Sequence, residues 1–468
     1  MTAPAEVTRV AAAQQVVPQG LRSVILIAYD YPPSPEVGGL RANNLAKQWL
    51  DAGVAVNVVT ATLPGESAGI RAQADGLTVY AVAPVEGPLN WWETRKQERT
   101  ARRQVSSKPG RDSASPSVGP VSPSWKRLLL GLFWIPDPRL GFAWSVFRLG
   151  RRLLAGCEDS LIYSTAPTFS SHVAGLALAR LTGLPWVMEC RDPWSGMERK
   201  PVNARHPLTD WLDAKLERAC LRAAHRVVVV SEGYRELLSQ SPIPGLRDKL
   251  LLSRNGIPGL AAPRASIRGT PRVIVHAGTI YLGRDPRTFL KALSSVSRRF
   301  CLDKADVRVL FVGDCRWFNG ISVAEMAEEL GIGKIMELID WLPHNEVQDL
   351  LQRADLLLLL AQRQPLCVPN KLYEYLGARR PILAVTDLDG ESARVLREVG
   401  GHYVTAADDV AGQEDAIAQA LGLGRLKAAS VPVDEWVLQG LTTKAQLGAL
   451  VHDLSDSVSV ALRARHVK

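Results

Sequence analysis

At 468 residues the chain exceeds what one hydrophobic core ordinarily supports, so two domains are expected. Its 46% hydrophobic and 22% charged residues are those of a globular protein and exclude a disordered or fibrous chain. The 56 Lys and Arg against 47 Asp and Glu leave a formal charge of +9, which suits anionic lipid, a phosphorylated substrate or nucleic acid without choosing among them.

The first 20 residues lack the cationic, apolar and small-residue order of a secretory signal and read as a flexible tail. No apolar run nears the ~18 residues of a spanning helix, and residues 128–135 and 356–361 are far too short. Residues 23–28 read as a buried strand. A Pro- and Gly-rich loop over 31–39, a helix over 40–51 and a strand over 54–60 complete a βαβ unit. Strands over 160–164, 186–189 and 226–230 continue the pattern. After the Pro-, Gly- and Ala-rich stretch 257–271 a second series begins. Its strands fall at 273–277, 307–312, 334–339, 355–360 and 381–385, with helices over 286–297, 323–330, 345–353 and 370–377. Two such series predict an α/β protein of two Rossmann-like domains, over 21–260 and 270–430, with parallel sheets facing across a cleft. Residues 431–468 read as a helical segment that crosses back to the first domain.

One insert, residues 88–150, interrupts the first series. Residues 91–127 carry nine Lys and Arg against three Asp and Glu, and five of the chain's 12 tryptophans lie between Trp91 and Trp144. Cations and aromatics around a short apolar run suit a membrane interface, and equally a core helix behind a charged loop. The six cysteines (Cys157, Cys190, Cys220, Cys301, Cys315, Cys367) form no CxxC pair, which favours a reducing cytoplasm and offers no metal site.

The candidate chemistry clusters at strand ends. The stretch Pro369-Asn370-Lys371-Leu372-Tyr373-Glu374 opens a helix directly after an apolar strand. Residues three apart share a helical face, so Lys371 and Glu374 address one ligand, a cation for a phosphate and a carboxylate for a ribose diol. Gly38 and Gly39, in the first strand–helix loop, let backbone approach a phosphate at a helix N-terminus. The spacing is not that of a dinucleotide fingerprint. Gly278-Thr279 and Arg284 follow the first strand of the second series, and Arg191-Asp192-Pro193-Trp194 follows the strand at 186–189. Asp387-Leu388-Asp389 reads as a turn and helix cap, with no metal assigned.

Together these motifs resemble glycosyltransferase family 4, over roughly residues 22–420. The resemblance implies a GT-B fold and transfer of a hexosyl or N-acetylhexosaminyl group from a nucleotide-diphosphate sugar. Retention of configuration, no metal and no cofactor are further implications. Glu374 would hold the donor's ribose, with Gly278, Thr279, Arg284, Lys371, Leu372, Gly38 and Gly39 around the donor and Arg284 and Lys371 on its diphosphate. Asp192, with Arg191 and His172, would face the acceptor. The sequence departs from the family in two places. Thr279 stands where relatives carry Arg, a charge Lys371 would supply, and Leu366 where they carry the first of two glutamates. The expected partners are the sugar donor, a lipid-linked or polysaccharide acceptor and a membrane surface, with no nucleic acid and a place on the cytoplasmic face. The alternatives are a nucleotide-sugar epimerase or hydrolase on the same frame, or a catalytically silent membrane-docking protein.

Overall fold

The apolar run at Ser23–Ala28 is strand β1, buried from Val24 onward. A strand covered by helices on both faces needs no polar alternation, which is why it reads as a continuous apolar run. The computed structural model in which it is seen describes residues 20–34, 36–85, 123–195, 200–262, 271–281, 283–423 and 432–466. The tail and most of the basic insert, residues 86–122, lie outside the described residues.

Two compact units divide the chain, the first made of Met1–Val230, Tyr234–Arg254 and Leu447–Lys468, the second of Ser231–Gly233 and Asn255–Gln446. In the first, β1 is joined by β2 (Ala55–Ala61), β3 (Gly69–Ala74), β4 (Leu77–Val82), β5 (Ser160–Thr165), β6 (Trp186–Cys190), β7 (Arg226–Val229) and β8 (Leu250–Leu252). Their order across the sheet is β3-β4-β2-β1-β5-β6-β7-β8, and only the edge strand β3 runs antiparallel to its neighbour. The helix Val37–Asp51 covers β1 with Leu45, Ala46 and Trp49. The long terminal helix, Thr443–His466, contributes Leu447, Leu450, Leu454, Val458 and Leu462 to this same core.

The second unit holds β9 (Arg272–Ala277), β10 (Val307–Val312), a two-stranded hairpin β11 (Trp317–Phe318) and β12 (Ile321–Ser322), then β13 (Met336–Ile339), β14 (Leu356–Ala361), β15 (Ile382–Thr386) and β16 (Tyr403–Thr405). Its main sheet runs β13-β10-β9-β14-β15-β16, all parallel. Strand side chains alternate between faces, and β14 displays this within a run of five leucines. Leu356, Leu358 and Leu360 enter one core with Ile274, Val309 and Phe311, whereas Leu357 and Leu359 enter another with Val275, Leu310 and Tyr375.

Counted from its own first strand, the second sheet has the order 3-2-1-4-5-6 of a doubly wound fold. The parallel strands of the first sheet repeat it, with one strand more. In each unit the winding direction therefore reverses beside the first strand, between β1 and β5 and between β9 and β14. Ligands bind beyond the carboxyl ends of strands at such reversals, which is where both groups of candidate residues fall.

The predicted turn at Asp387 is present, but the predicted cap is not. Gly390 occupies the cap position of the helix Glu391–Val399 with no side-chain hydrogen bond. Asp387 instead accepts from the Gln364 amide at 2.9 Å, because its carboxylate points to the preceding loop.

Candidate active site

In the second unit β9 ends at Ala277, and the helix Asn370–Gly377 is tied to that end. The Ala277 amide donates to the Tyr375 hydroxyl at 2.7 Å. Tyr373, Tyr375 and Leu372 on this short helix are buried, while Lys371 and Glu374 are half-buried on the side left over. Pro369 precedes the helix in extended conformation and donates no N–H, so the helix starts there without loss.

Gly278 follows with φ +120, a conformation side-chain-bearing residues rarely adopt, and a Cβ there would lie 3.1 Å from the Lys371 Nζ. The ammonium thus rests on the backbone of the β9 turn. Its Nζ is buried and has no hydrogen-bond partner. Burial, and then the charge of Arg284, push the Lys371 pKa down to about 7, against the pull of Cys315 and Glu374. Arg284 donates from Nη1 to the Thr279 carbonyl at 3.1 Å and lies over the Tyr281 ring at 4.4 Å, while its Nε is buried and unpartnered. Two cations therefore converge where protein carboxylates do not neutralise them. Glu374 has its pKa raised by burial, opposed by His344 and Lys371, and no hydrogen bond to a described residue holds its carboxylate.

The floor of this group is neutral. Cys315 donates its thiol to the Gly278 carbonyl at 2.9 Å, and burial raises its pKa to about 12. His276 is fully buried, and its Nδ1 contacts the Leu358 carbonyl at 2.9 Å. Burial and then Lys371 hold it well below the usual histidine range, so it adds no charge. Leu366, at the position where a second carboxylate was looked for, is half-buried.

The first unit gathers its own group at the β1/β5 reversal. A Cβ on Gly39 would stand 3.0 Å from the Tyr31 Cα, so only glycine lets the helix start this close to the loop it follows. Arg191 donates to the carbonyls of Ala166 and Gly38, the latter at 2.9 Å, clamping the ends of β5 and of the glycine loop together. Asp192 beside it is half-buried. His172 is fully buried between Phe169 and Trp194, with Nδ1 2.8 Å from the Ser164 hydroxyl, which also accepts from the Trp186 indole at 2.8 Å. Burial pushes its pKa down to about 3, so the ring is neutral at physiological pH.

Two features here carry no local sequence signal. Arg41 and Glu189 form a buried ion pair at 2.9 Å, with Arg41 also donating to the carbonyls of Ser253 and Arg254 and Glu189 accepting from Thr165 at 2.6 Å. Burial works against the Glu189 charge, but Arg41, Arg191 and Thr165 outweigh it, and the carboxyl stays below its usual range. Asp30, at the end of β1, is half-buried, and burial raises its pKa against Arg139 and Arg191.

Residues 38–251 match the family described as "Glycosyl transferase 4-like domain". The chain carries a glycosyl transferase 4-like domain. Solved structures similar over nearly the whole length extend the likeness to the second unit. An α,α-trehalose 6-phosphate synthase from Burkholderia multivorans has 12% identity and a TM-score of 0.57, covering 95% of this chain and 98% of that one. A sucrose-phosphate synthase from Thermosynechococcus elongatus has 14% identity and a TM-score of 0.52, with coverage of 95% and 98%. TarM from S. aureus, crystallised with UDP and α-GlcNAc-glycerol, has 10% identity and a TM-score of 0.51, with coverage of 95% and 99%. Identities this low establish the fold alone, and the fold is GT-B. No curated protein sequence matches the chain. By its domain and fold this is a GT-B glycosyltransferase.

Proposed function

We propose that this glycosyltransferase moves a hexosyl or N-acetylhexosaminyl group from a nucleotide-diphosphate sugar to an acceptor hydroxyl, with retention and without a metal. The observation that supports it is the buried, unpartnered Lys371 ammonium beside Arg284 at the β9/β14 reversal. A buried cation with no partner is costly, and a diphosphate supplies the missing partner. In the reaction the bond from the anomeric carbon to the diphosphate breaks, and that electron pair leaves with the diphosphate. The acceptor oxygen bonds to the anomeric carbon, and its proton passes to the departing diphosphate. Fixed cations aimed at the leaving group act where charge develops, with no reorganisation at the moment of reaction. Glu374 would hold the ribose, with Gly278 and Thr279 lending backbone and Leu372 anchoring the helix. On the first unit Gly38 and Gly39 would approach the donor, and Asp192 with Arg191 would orient the acceptor. His172 would act through packing or, if reached, as a neutral hydrogen-bonding group.

Part of the insert supports a membrane-borne acceptor. Trp125, Leu129, Leu132 and Phe133 are exposed along one side of the helix Ser124–Phe133, and Leu140 and Trp144 are exposed on Leu140–Leu153. Arg148, Arg151 and Arg152 continue that second helix with exposed charge. Apolar and aromatic groups beside cations fit an anionic lipid surface. Among the described residues no helix is long and apolar enough to cross a membrane.

A panel of nucleotide sugars, assayed with and without lipid-linked and polysaccharide acceptors, tests this reading. Release of nucleoside diphosphate that depends on acceptor is expected. Release at the same rate without acceptor makes the chain a hydrolase, and binding without any turnover makes it a silent binder.

A further inference from the structure

We propose that Trp341 is the platform on which the nucleobase of the donor stacks, a reading that rests on the nucleotide site proposed above. At 72% its exposure is the highest of any large apolar side chain among the described residues. No aromatic or cation contact to its ring is present among them. Its place in the fold is what gives this exposure a use. The Gly278 amide donates to the Val312 carbonyl at 2.8 Å, and the Gly313 amide to the Ile339 carbonyl at 2.8 Å. These bonds align the carboxyl ends of β9, β10 and β13 on one edge of one sheet. Two strand spacings, about 10 Å, therefore separate the Gly278 turn from the end of β13, and Trp341 is the second residue beyond that end.

The loop it sits on is held. Asp340 pairs with Arg316 at 2.5 Å, joining the β13 loop to the segment before the β11–β12 hairpin. On the other side of Trp341 the chain passes through Leu342 and Pro343 into the helix His344–Arg353, and the His344 charge acts on Glu374. A nucleotide with its diphosphate on Lys371 and Arg284 and its ribose on Glu374 must place its base beyond Glu374, away from the cations. What lies there is this loop. An exposed indole offers every base a π-face, so the platform fixes the donor as a nucleotide without selecting which base, and base-edge selection falls to neighbouring backbone. Stacking on an aromatic side chain contributes roughly 1–3 kcal/mol per base, equivalent to about 5- to 150-fold in affinity.

Calorimetry on the full chain with ADP, CDP, GDP, UDP and inorganic pyrophosphate tests the assignment. Trp341→Ala is expected to weaken the best-bound nucleoside diphosphate about tenfold or more, while pyrophosphate affinity stays within about twofold. Trp341→Phe should recover most of the loss. Nucleotide should quench tryptophan emission in the parent and much less in Trp341→Ala. Unchanged nucleotide affinity in Trp341→Ala overturns the platform, as does an equal loss of pyrophosphate, or a loss produced instead by Trp317→Ala on the neighbouring hairpin. If the parent binds pyrophosphate but none of the four nucleotides, the platform falls while an anion site stands. If it binds none of the five ligands, the proposed function falls as well.

Discussion

Lys371 offers the sharpest test, because a buried ammonium with a pKa near neutrality leaves a signature in pH. Its pKa of about 7, against the usual 10.5, means the folded chain opposes the charged form. At about 1.4 kcal/mol for each pH unit, this opposition amounts to ~5 kcal/mol. The sign follows from proton counts. Between pH 7 and 10.5 the unfolded chain holds a proton on this lysine that the folded chain has released, so stability of the ligand-free protein rises with pH across that window. The gain is complete above 10.5 and is lost as pH falls through 7. A diphosphate reverses the preference, since it favours the charged ammonium. Nucleotide binding above pH 7 must then take up a proton, and affinity should fall by up to tenfold per pH unit until the pKa of the bound state is reached. Lys371→Met keeps the length and apolar stem of the side chain and removes the charge. The variant should be as stable as the parent or more so at neutral pH, lose the pH dependence of affinity, and bind nucleoside diphosphate more weakly. Calorimetry at one pH in two buffers of different ionisation enthalpy measures the proton uptake directly. An affinity that stays flat from about pH 7.5 to 9.5, with no proton taken up, would refute the placement of the diphosphate on this ammonium.

Glu374→Gln should weaken nucleotide binding by about 1.5–3 kcal/mol, the range for hydrogen bonds to a charged group, with little change in melting temperature. Unaltered affinity would remove the ribose from this carboxylate. Arg41→Met leaves Glu189 buried without its partner and should destabilise the first unit by about 3–5 kcal/mol, read by denaturant unfolding; a loss under about 1 kcal/mol would mean the surroundings absorb the charge. Binding to anionic vesicles should fall with salt yet persist in part, because apolar insertion is not screened. Replacing Trp125, Leu129, Phe133 and Trp144 by serine should abolish the persistent part, and equal, negligible binding by parent and variant at low salt would end the membrane reading.

Most of the parallel framework is legible because burial on both faces writes itself as uninterrupted apolar residues. β1 and the five leucines of β14 need no context to be read as strands, and Pro369 marks where the donor-side helix begins. The elements that escape are those whose stability comes from neighbours. β3 is exposed along most of its length and is a strand because it pairs with β4, while β8, β11, β12 and β16 span only two or three residues each. The same division holds at the site. Lys371 and Glu374 share a helical turn and could be paired by spacing. The Arg41–Glu189 pair joins residues 148 apart, and no local pattern announces it. His172 has a recognisable place in a strand–helix sequence, but only the packing of Phe169 and Trp194 reveals how completely it is enclosed. The reach of Lys371 back to Gly278 is likewise a product of sheet order, which puts β9 beside β14 although β10 and β13 intervene in the chain.

The way the chain leaves and re-enters its first unit has a topological consequence. Ile257 donates to the Leu441 carbonyl at 2.7 Å and accepts from the Thr443 amide at 2.9 Å, so the outgoing and returning segments are hydrogen-bonded side by side. Topologically the second unit is an insertion whose two ends meet, and its core closes without either chain terminus. The first unit is the host and cannot be written as one continuous stretch: its core is completed by Leu447, Leu450, Leu454, Val458 and Leu462, from the last helix to be synthesised. Adjacent ends make an inserted unit suitable for excision or circular permutation. The host, by contrast, must wait for the end of translation before its final helix can dock, even though its first strand is among the earliest to emerge.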